Sequence, residues 1–172
     1  MLFRSSRRRN ILTPEAFQER AANLGPPRPV VITISSSLRA PSLVIAAGAI
    51  RDSITARLRS ALRFVPIANA VVTDALERSR SVDSLRAWLK SDLFLTINAG
   101  GSFGSDSLRW IVSLRDYTAH SAYGNRAASS PQVAIASAAE PAVVRPLVEA
   151  VLRNLDEMDR APRRDTLSRR EL

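Results

Sequence analysis

The sequence predicts an α/β (α+β) domain in which helices pack against a mixed β-sheet. Three observations carry this prediction. Strand-like segments alternate with helix-like segments in the first half of the chain, which favours parallel neighbours joined by helical crossovers. Two strand-like segments follow each other closely in the second half, as in a hairpin. With 172 residues, 45% of them hydrophobic, the chain suffices for one core but not for two ordinary domains.

Composition divides the chain into a basic N-terminal arm (1–28), a single domain (29–157) and a charged C-terminal tail (158–172). The arm holds six arginines against two glutamates, a net charge of +4. A Thr-Pro start predicts a short helix over Ala16–Leu24, which ends at a Gly-Pro-Pro sequence. These prolines indicate a stiff linker into the domain.

The domain is predicted to begin with a buried strand, Val30–Ile34, because these residues are almost all β-branched. A long helix over Leu43–Arg63 follows the next loop. Its apolar residues share one helical face: Ile50, Ile54, Leu58, Ala61 and Leu62. Phe64–Ile67 is a short strand, and Pro66 within it predicts either an edge strand or a position among the first residues of a strand, since proline donates no backbone hydrogen bond.

Two further helices and a strand are predicted before the first glycine-rich turn. Apolar spacing indicates the second helix at Val71, Val72, Ala75 and Leu76. Ser81 is the expected N-cap of the third helix, which is predicted to bury Leu85, Trp88 and Leu89. Leu93–Ile97 is the next strand. The resulting order is β-α-β-α-α-β-β-(β)-α.

The last third of the domain begins with a turn at Gly100–Asp106. Apolar residues alternate with polar ones over Leu108–Leu114, which predicts a half-buried strand with Trp110 in the core. Ala119–Arg126 is expected to add a strand and a turn. The final helix has its apolar residues at helical spacing: Val144, Leu147, Val148, Val151, Leu152 and Leu155.

Charge and composition limit the classes of function. The formal net charge of +9 favours a nucleic acid, an anionic lipid surface or an acidic protein as partner. The basic residues are arginines except for Lys90, a bias that either a GC-rich genome or selection for two-pronged anion binding produces. The absence of cysteine excludes disulfides and zinc–thiolate sites. The longest apolar run, Leu43–Ile50, is far shorter than the roughly 20 residues of a membrane span. We therefore expect a soluble or peripheral protein in the cytoplasm, at the inner face of the membrane.

Residues 100–104 literally match the G-x-S-x-G pattern of a hydrolase nucleophile elbow, with Ser102 as the serine. That motif requires a helix after the serine, whereas a strand is predicted here. The single histidine, His120, lies only four residues after Asp116, which would cramp a catalytic triad. We therefore interpret these glycines as a turn and expect no enzyme activity.

No metal site or cofactor is expected. His120 has no second histidine and no cysteine to join it as a ligand. The acidic residues are spread among arginines and lack the fixed spacing of an oxygen-ligand site. The glycines at 100–104 lack the lysine and the following helix of a phosphate-binding loop.

The candidate partner-binding residues form two sets. The first set lies in the arm: Leu2, Phe3, Arg4, Arg7, Arg8 and Arg9. Four charges beside two apolar side chains suit an anionic membrane, although a nucleic-acid backbone or an acidic protein rim would also attract them. The second set, Arg51, Arg59 and Arg63, forms a stripe on the first long helix, which is either an ordinary solvated face or a docking surface.

Several segments resemble the TolB amino-terminal-like and FlgO-like domains. Val30–Ile34, Ile50–Leu62 and Phe64–Ile67 follow the order with which those domains begin. Ser91–Ile97 and Ser105–Asp116 resemble two of their strands, although Ile97-Asn98 stands where the family has a glycine. The resemblance implies a non-catalytic module of the kind attached to envelope or bacterial signalling proteins, and no functional residue transfers with it.

Together these observations predict a non-catalytic accessory subunit that binds and stabilises a larger bacterial complex. A membrane complex approached from its cytoplasmic face is the expected partner, and anionic lipid is a second contact. A photosynthetic reaction-centre–antenna complex is one such assembly, although no motif of the chain points to it. Nucleic-acid binding through the arm and the first long helix is the alternative.

Overall fold

A computed structural model describes residues 26–61, 63–101, 106–119 and 124–160. The strands are β1 (Arg28–Ile34), β2 (Phe64–Pro66), β3 (Leu93–Gly100), β4 (Ser107–Asp116), β5 (Asn125–Ser129) and β6 (Val133–Ala134). The helices are α1 (Pro41–Arg59), α2 (Asn69–Arg78), α3 (Val82–Leu89) and α4 (Pro141–Arg160), with a short 3-10 turn at Ile135–Ser137.

The strands form one mixed sheet in the order β2-β1-β3-β4-β5, and β6 pairs with β4. β1 runs parallel to both β2 and β3, because α1 and the α2–α3 pair provide the crossovers. β3, β4 and β5 are antiparallel. The predicted fold class, a mixed sheet with packed helices, is therefore confirmed; β6 and the 3-10 turn were not predicted.

The main core lies between the sheet and the pair α1 and α4. It contains the alternate residues of the three central strands, including Ile32, Leu95 and Leu114, and the apolar faces of both helices. Ile54 of α1 and Leu155 of α4 are fully buried in it. Each such side chain contributes about 1.5–3 kcal/mol through burial, so this layer fixes the sheet and both helices as one unit.

The opposite face of the sheet is only half covered. α2 and α3 pack there on Val31 and Phe94 through a small cluster of Val72, Ala75, Leu85 and Leu89. On the same face, Ser113 and Arg115 of β4 are exposed. A stretch of β3, β4 and β5 therefore faces outward beside the two short helices.

The first helix ends earlier than predicted. α1 begins with Pro41 in its first turn and ends at Arg59, so Arg63 is not part of it. Arg63 instead precedes β2, where the chain turns to bury Phe64, which is 3% exposed. The prediction of a helix over Leu43–Arg63 was wrong at this end because the guanidinium of Arg63 is held by a tertiary contact that helical spacing does not reveal.

Helix α3 has clear ends. Ser81 accepts a hydrogen bond from the backbone nitrogen of Ser84, and the Ser84 hydroxyl accepts one from the backbone nitrogen of Ser81, a capping box. The predicted N-cap is therefore confirmed. At the other end Lys90 adopts a left-handed conformation with φ of 48°, a position where glycine is usual.

The two tryptophans differ in environment. Trp110 is fully buried, as predicted, and its Nε1 donates to the carbonyl oxygen of Ala138 at 2.8 Å. Trp88 was predicted to be buried, but it is 53% exposed. The narrow buried face of α3 is filled by Leu85 and Leu89, and the Trp88 ring lies beside α2 under the guanidinium of Arg78, 5.7 Å from the ring centroid.

The last two predicted boundaries also shift. Of the strand and turn expected over Ala119–Arg126, residues 120–123 lie outside the described residues. Strand β5 includes Asn125, which is paired with Arg115, and continues beyond the predicted segment to Ser129. Helix α4 runs to Arg160, into the segment assigned to the tail, because Met158 is buried.

Both edges of the sheet carry a feature that interrupts strand pairing. β2, at one edge, is three residues long and includes Pro66, as predicted for an edge strand. At the other edge, the side-chain nitrogen of Asn154 on α4 donates to the backbone carbonyl of Ala127 in β5 at 3.1 Å.

Candidate binding surfaces

Two arginines and two aspartates form a partly buried cluster at one corner of the domain. Arg28, at the start of β1, donates to Asp116 at the end of β4 at 2.6 Å and to Asp159 of α4 at 3.0 Å. Arg63 donates to both oxygens of Asp159. The side chain of Asp116 is only 1% exposed. The cluster therefore connects β1, the residue before β2, the end of β4 and α4 through charge-assisted hydrogen bonds.

Both carboxyl groups of this cluster have a lowered pKa. Burial by itself raises the pKa of Asp116, but hydrogen bonds from Thr118 and Arg28 together outweigh burial and hold the pKa below its usual value. The same balance applies to Asp159: burial raises its pKa, and hydrogen bonds from Arg63 and Arg28 lower it further than burial raises it. Both aspartates are therefore charged at neutral pH.

The cluster also marks the place where the two ends of the described domain meet. The Nη1 atom of Arg63 donates to the carbonyl oxygen of Pro26 at 2.8 Å, and its Nη2 atom donates to Asp159 at 3.0 Å. A single guanidinium thus spans the gap between the first described residue and the last turn of α4. Residues 1–25 and residues 161–172, here called the terminal segments, consequently join the domain at the same corner.

The terminal segments carry most of the excess positive charge. Residues 1–25 hold five arginines and two glutamates, and residues 161–172 hold four arginines and two acids. They contribute +5 of the net charge of +9. The corner is therefore the attachment point of two basic segments, a relationship that composition alone does not reveal because the segments lie at opposite ends of the chain.

Several predicted site residues lie outside the described residues. They include the first partner-binding set: Leu2, Phe3, Arg4, Arg7, Arg8 and Arg9. The helix predicted over Ala16–Leu24, Ser102 and His120 also lie outside them. The partner-binding role of the arm stays a prediction.

The second predicted set does not form one stripe. Arg51 donates to the carboxylate of the neighbouring Asp52 at 3.0 Å, which reduces its availability to a partner. Arg59 is exposed at the end of α1. Arg63 donates hydrogen bonds to Asp159 and lies beyond the end of the helix. The spacing of these arginines along the sequence suggested a common face because it assumed that the helix continued past Arg59.

The neighbourhood of the predicted glycine turn differs from that of a nucleophile elbow. Gly100 ends β3, and the element that follows residues 102–105 is strand β4, whereas a nucleophile elbow leads into a helix. Asp116, the acid nearest to His120 in the sequence, is bound by Arg28 and by both the hydroxyl and the backbone nitrogen of Thr118. Its carboxylate is therefore committed to the ion-pair cluster.

The uncovered part of the second sheet face forms a groove that the sequence did not predict. α2 and α3 line one side of it, and its floor includes Thr33, Thr96 and Ser113 of three adjacent strands. At one end, the guanidinium groups of Arg86 and Arg115 lie over the ring of Tyr117, at 4.7 Å and 5.3 Å from the ring centroid. The alternation in β4 did place Ser113 and Arg115 on the solvent side, but it did not reveal which residues lie beside them.

Two further findings concern the described residues alone. No three histidine or acidic side chains among them are grouped so as to hold a metal ion. None of their helices combines the length and the apolar character that crossing a membrane requires.

No family model matches the chain, and no curated protein is significantly similar to it in sequence. The resemblance to TolB amino-terminal-like and FlgO-like domains stays a prediction.

Proposed function

We propose that the chain is a non-catalytic accessory subunit that attaches to a larger membrane complex through two arginine-rich segments anchored at one corner of its domain. The observation that carries this proposal is the bridging position of Arg63, which contacts both Pro26 and Asp159. It supports a single binding surface assembled from residues 1–25 and 161–172.

Anchoring two basic segments at one point strengthens binding to an extended anionic surface. Once one segment is bound, the other is held near the same surface at a high effective concentration. Each arginine near an anionic membrane contributes about 1 kcal/mol, and salt weakens this attraction. Leu2 and Phe3 would add apolar contacts with lipid or with a membrane protein.

The domain's role in this proposal is to hold the corner rigid. Arg28, Arg63, Asp116 and Asp159 connect the start of β1 to the end of α4 by hydrogen bonds in partly buried surroundings. Their charges largely neutralise one another inside the cluster. We therefore assign binding of the partner to the terminal segments.

The test is co-sedimentation of the full chain with native membranes, followed by gentle extraction and identification of the retained complex. One variant changes Arg7, Arg8 and Arg9 to Gln. A second variant changes Arg163, Arg164 and Arg169, three of the four arginines of residues 161–172, to Gln. The matched control removes three exposed domain arginines, Arg57, Arg145 and Arg153.

We expect both terminal-segment variants to leave the membrane fraction at a lower salt concentration than the wild type, while the control behaves as the wild type. Equal release of all three variants would contradict the proposal, since it would mean that only total charge matters. Retention on duplex DNA instead of membranes, with affinity falling steeply as salt increases, would assign the chain to nucleic-acid binding.

A further inference from the structure

The groove on the second sheet face has a floor of small polar side chains. In the sheet register, Thr33 of β1 lies opposite Thr96 of β3, Thr96 opposite Ser113 of β4, and Ser113 opposite Ala127 of β5. The hydroxyls of Thr33 and Thr96 share a hydrogen bond of 3.1 Å. Thr33, Thr96 and Ser113 are all small, and they form part of the lining of a groove of about 790 Å³.

One wall of the groove is apolar and accessible. It is formed by Leu76 of α2 and by Val82 and Leu85 of α3. Leu76 is 48% exposed and Val82 is 47% exposed. These side chains offer a surface against which an apolar side chain of a ligand would lose contact with water.

The polar end of the groove is basic. Arg115 lines it, and none of the residues that line the groove is acidic. The Nε atom of Arg115 donates to the side-chain oxygen of Asn125 at 2.9 Å, and its guanidinium lies over Tyr117. Its two terminal nitrogens donate to no acceptor among the described residues. Arg115 is therefore held in place with donors available to an anionic group.

We propose that this groove binds an extended acidic segment of a partner protein that carries one apolar side chain among its carboxylates. A carboxylate of the segment would pair with Arg115, and its apolar side chain would lie between Leu76 and Val82. The hydroxyls of Thr96 and Ser113 would hydrogen-bond to its backbone. The surface belongs to the folded domain and is separate from the terminal segments, so it goes beyond the function proposed above.

The chemistry of the groove favours a peptide over a nucleic acid. Base recognition without duplex structure relies on free aromatic faces for stacking. Arg86 and Arg115 already lie over Tyr117, and Phe94 packs against it edge-on with the ring centroids 5.6 Å apart. The apolar wall, in contrast, matches the side chain of an amino acid.

The experiment measures fluorescence anisotropy of labelled peptides with the full chain. The probe is a short glutamate-rich peptide with a central leucine; the control peptides replace its glutamates by glutamine or its leucine by serine. Three protein variants are compared with the wild type: Arg115→Gln, Ser113→Phe and, as a control with the same charge loss on α4, Arg153→Gln. Phenylalanine suits an exposed strand position, so Ser113→Phe fills the groove without loss of the fold, which the thermal unfolding midpoint verifies.

We expect Arg115→Gln to weaken binding of the acidic peptide about tenfold, as for loss of a charge-assisted hydrogen bond, and Ser113→Phe to abolish it. Arg153→Gln should stay within about twofold of the wild type, since a distant surface charge is screened by salt. Either control peptide should bind more weakly to the wild type. Equal weakening by Arg115→Gln and Arg153→Gln, or unchanged binding by Ser113→Phe, would overturn the proposal.

Discussion

Arg63 and Asp159 form a two-pronged ion pair that joins the residue before β2 to the last turn of α4. Nε and Nη2 of Arg63 donate to the two oxygens of Asp159, and the side chains are 17% and 15% exposed. Removing one member of such a pair destabilises the folded state, because the remaining charge loses its partner while it stays partly buried.

Asp159→Asn is therefore expected to lower the free energy of unfolding by about 2–3 kcal/mol. The substitution preserves shape and leaves Arg28 and Arg63 without a carboxylate at this position. Urea denaturation at neutral pH measures the change. The matched control is Arg57→Gln, which removes an exposed and longer pair with Glu149 at 3.8 Å and should cost less than about 0.5 kcal/mol. Equal losses of unfolding free energy in the two variants would show that the cluster stabilises the domain no more than an exposed ion pair does.

Stability is expected to fall when the solution is made acidic. Asp116 and Asp159 have a lower pKa in the folded chain than in the unfolded chain, so the folded state binds fewer protons and loses stability as they become protonated. The loss begins as the pH drops below about 4, near the unfolded pKa of aspartate, and continues as the pH falls through the folded pKa. Urea denaturation at several pH values measures the slope, and Asp159→Asn should make it shallower. An unchanged dependence of the unfolding free energy on pH in that variant would contradict the assignment of the acid sensitivity to Asp159.

The two tryptophans provide a matched pair of substitutions. Trp110→Phe removes the donor to Ala138 and leaves a smaller ring in the core, so it should cost about 2–4 kcal/mol of unfolding free energy. Trp88→Phe changes an exposed ring and should cost less than about 1 kcal/mol. Chemical denaturation of both variants checks the difference. A larger loss at Trp88 would mean that α3 packs differently from the arrangement described.

Lys90→Gly is expected to stabilise the domain by about 0.5–1 kcal/mol, because glycine adopts the left-handed conformation without a steric cost. Lys90→Ala is the control: alanine keeps the Cβ atom, so the conformational strain persists and stability should change little. The thermal unfolding midpoints of the two variants measure the effect. A gain with alanine as large as that with glycine would point to the lysine charge instead of the backbone.

The sequence predicted a helix or strand correctly where the buried face of that element alone determines the spacing of its apolar residues. The helical spacing of Leu147, Val151 and Leu155 predicted α4, and the alternation around Trp110 predicted β4, because each pattern reflects a single buried face. Ser81 was identifiable as an N-cap from local chemistry alone.

The sequence did not reveal contacts between segments that are far apart along the chain. Nothing near Arg63 indicates that Asp159 will bind it, and nothing near Thr96 indicates that Thr33 and Ser113 will be its neighbours on the sheet. Strand register and the coverage of a sheet by helices depend on the whole chain. The groove and the corner cluster therefore became visible only with the fold.

The two interrupted sheet edges have a consequence for self-association. A further strand that approached β5 would have to displace Asn154 from the carbonyl of Ala127, and one that approached β2 would meet Pro66, which offers no N–H. Growth of the sheet by adding strands from other copies, the usual first step toward fibrils, is thereby opposed at both borders. A partner protein must therefore bind through side-chain contacts and not by adding a strand to the sheet. Binding then depends on the amino-acid sequence of the partner.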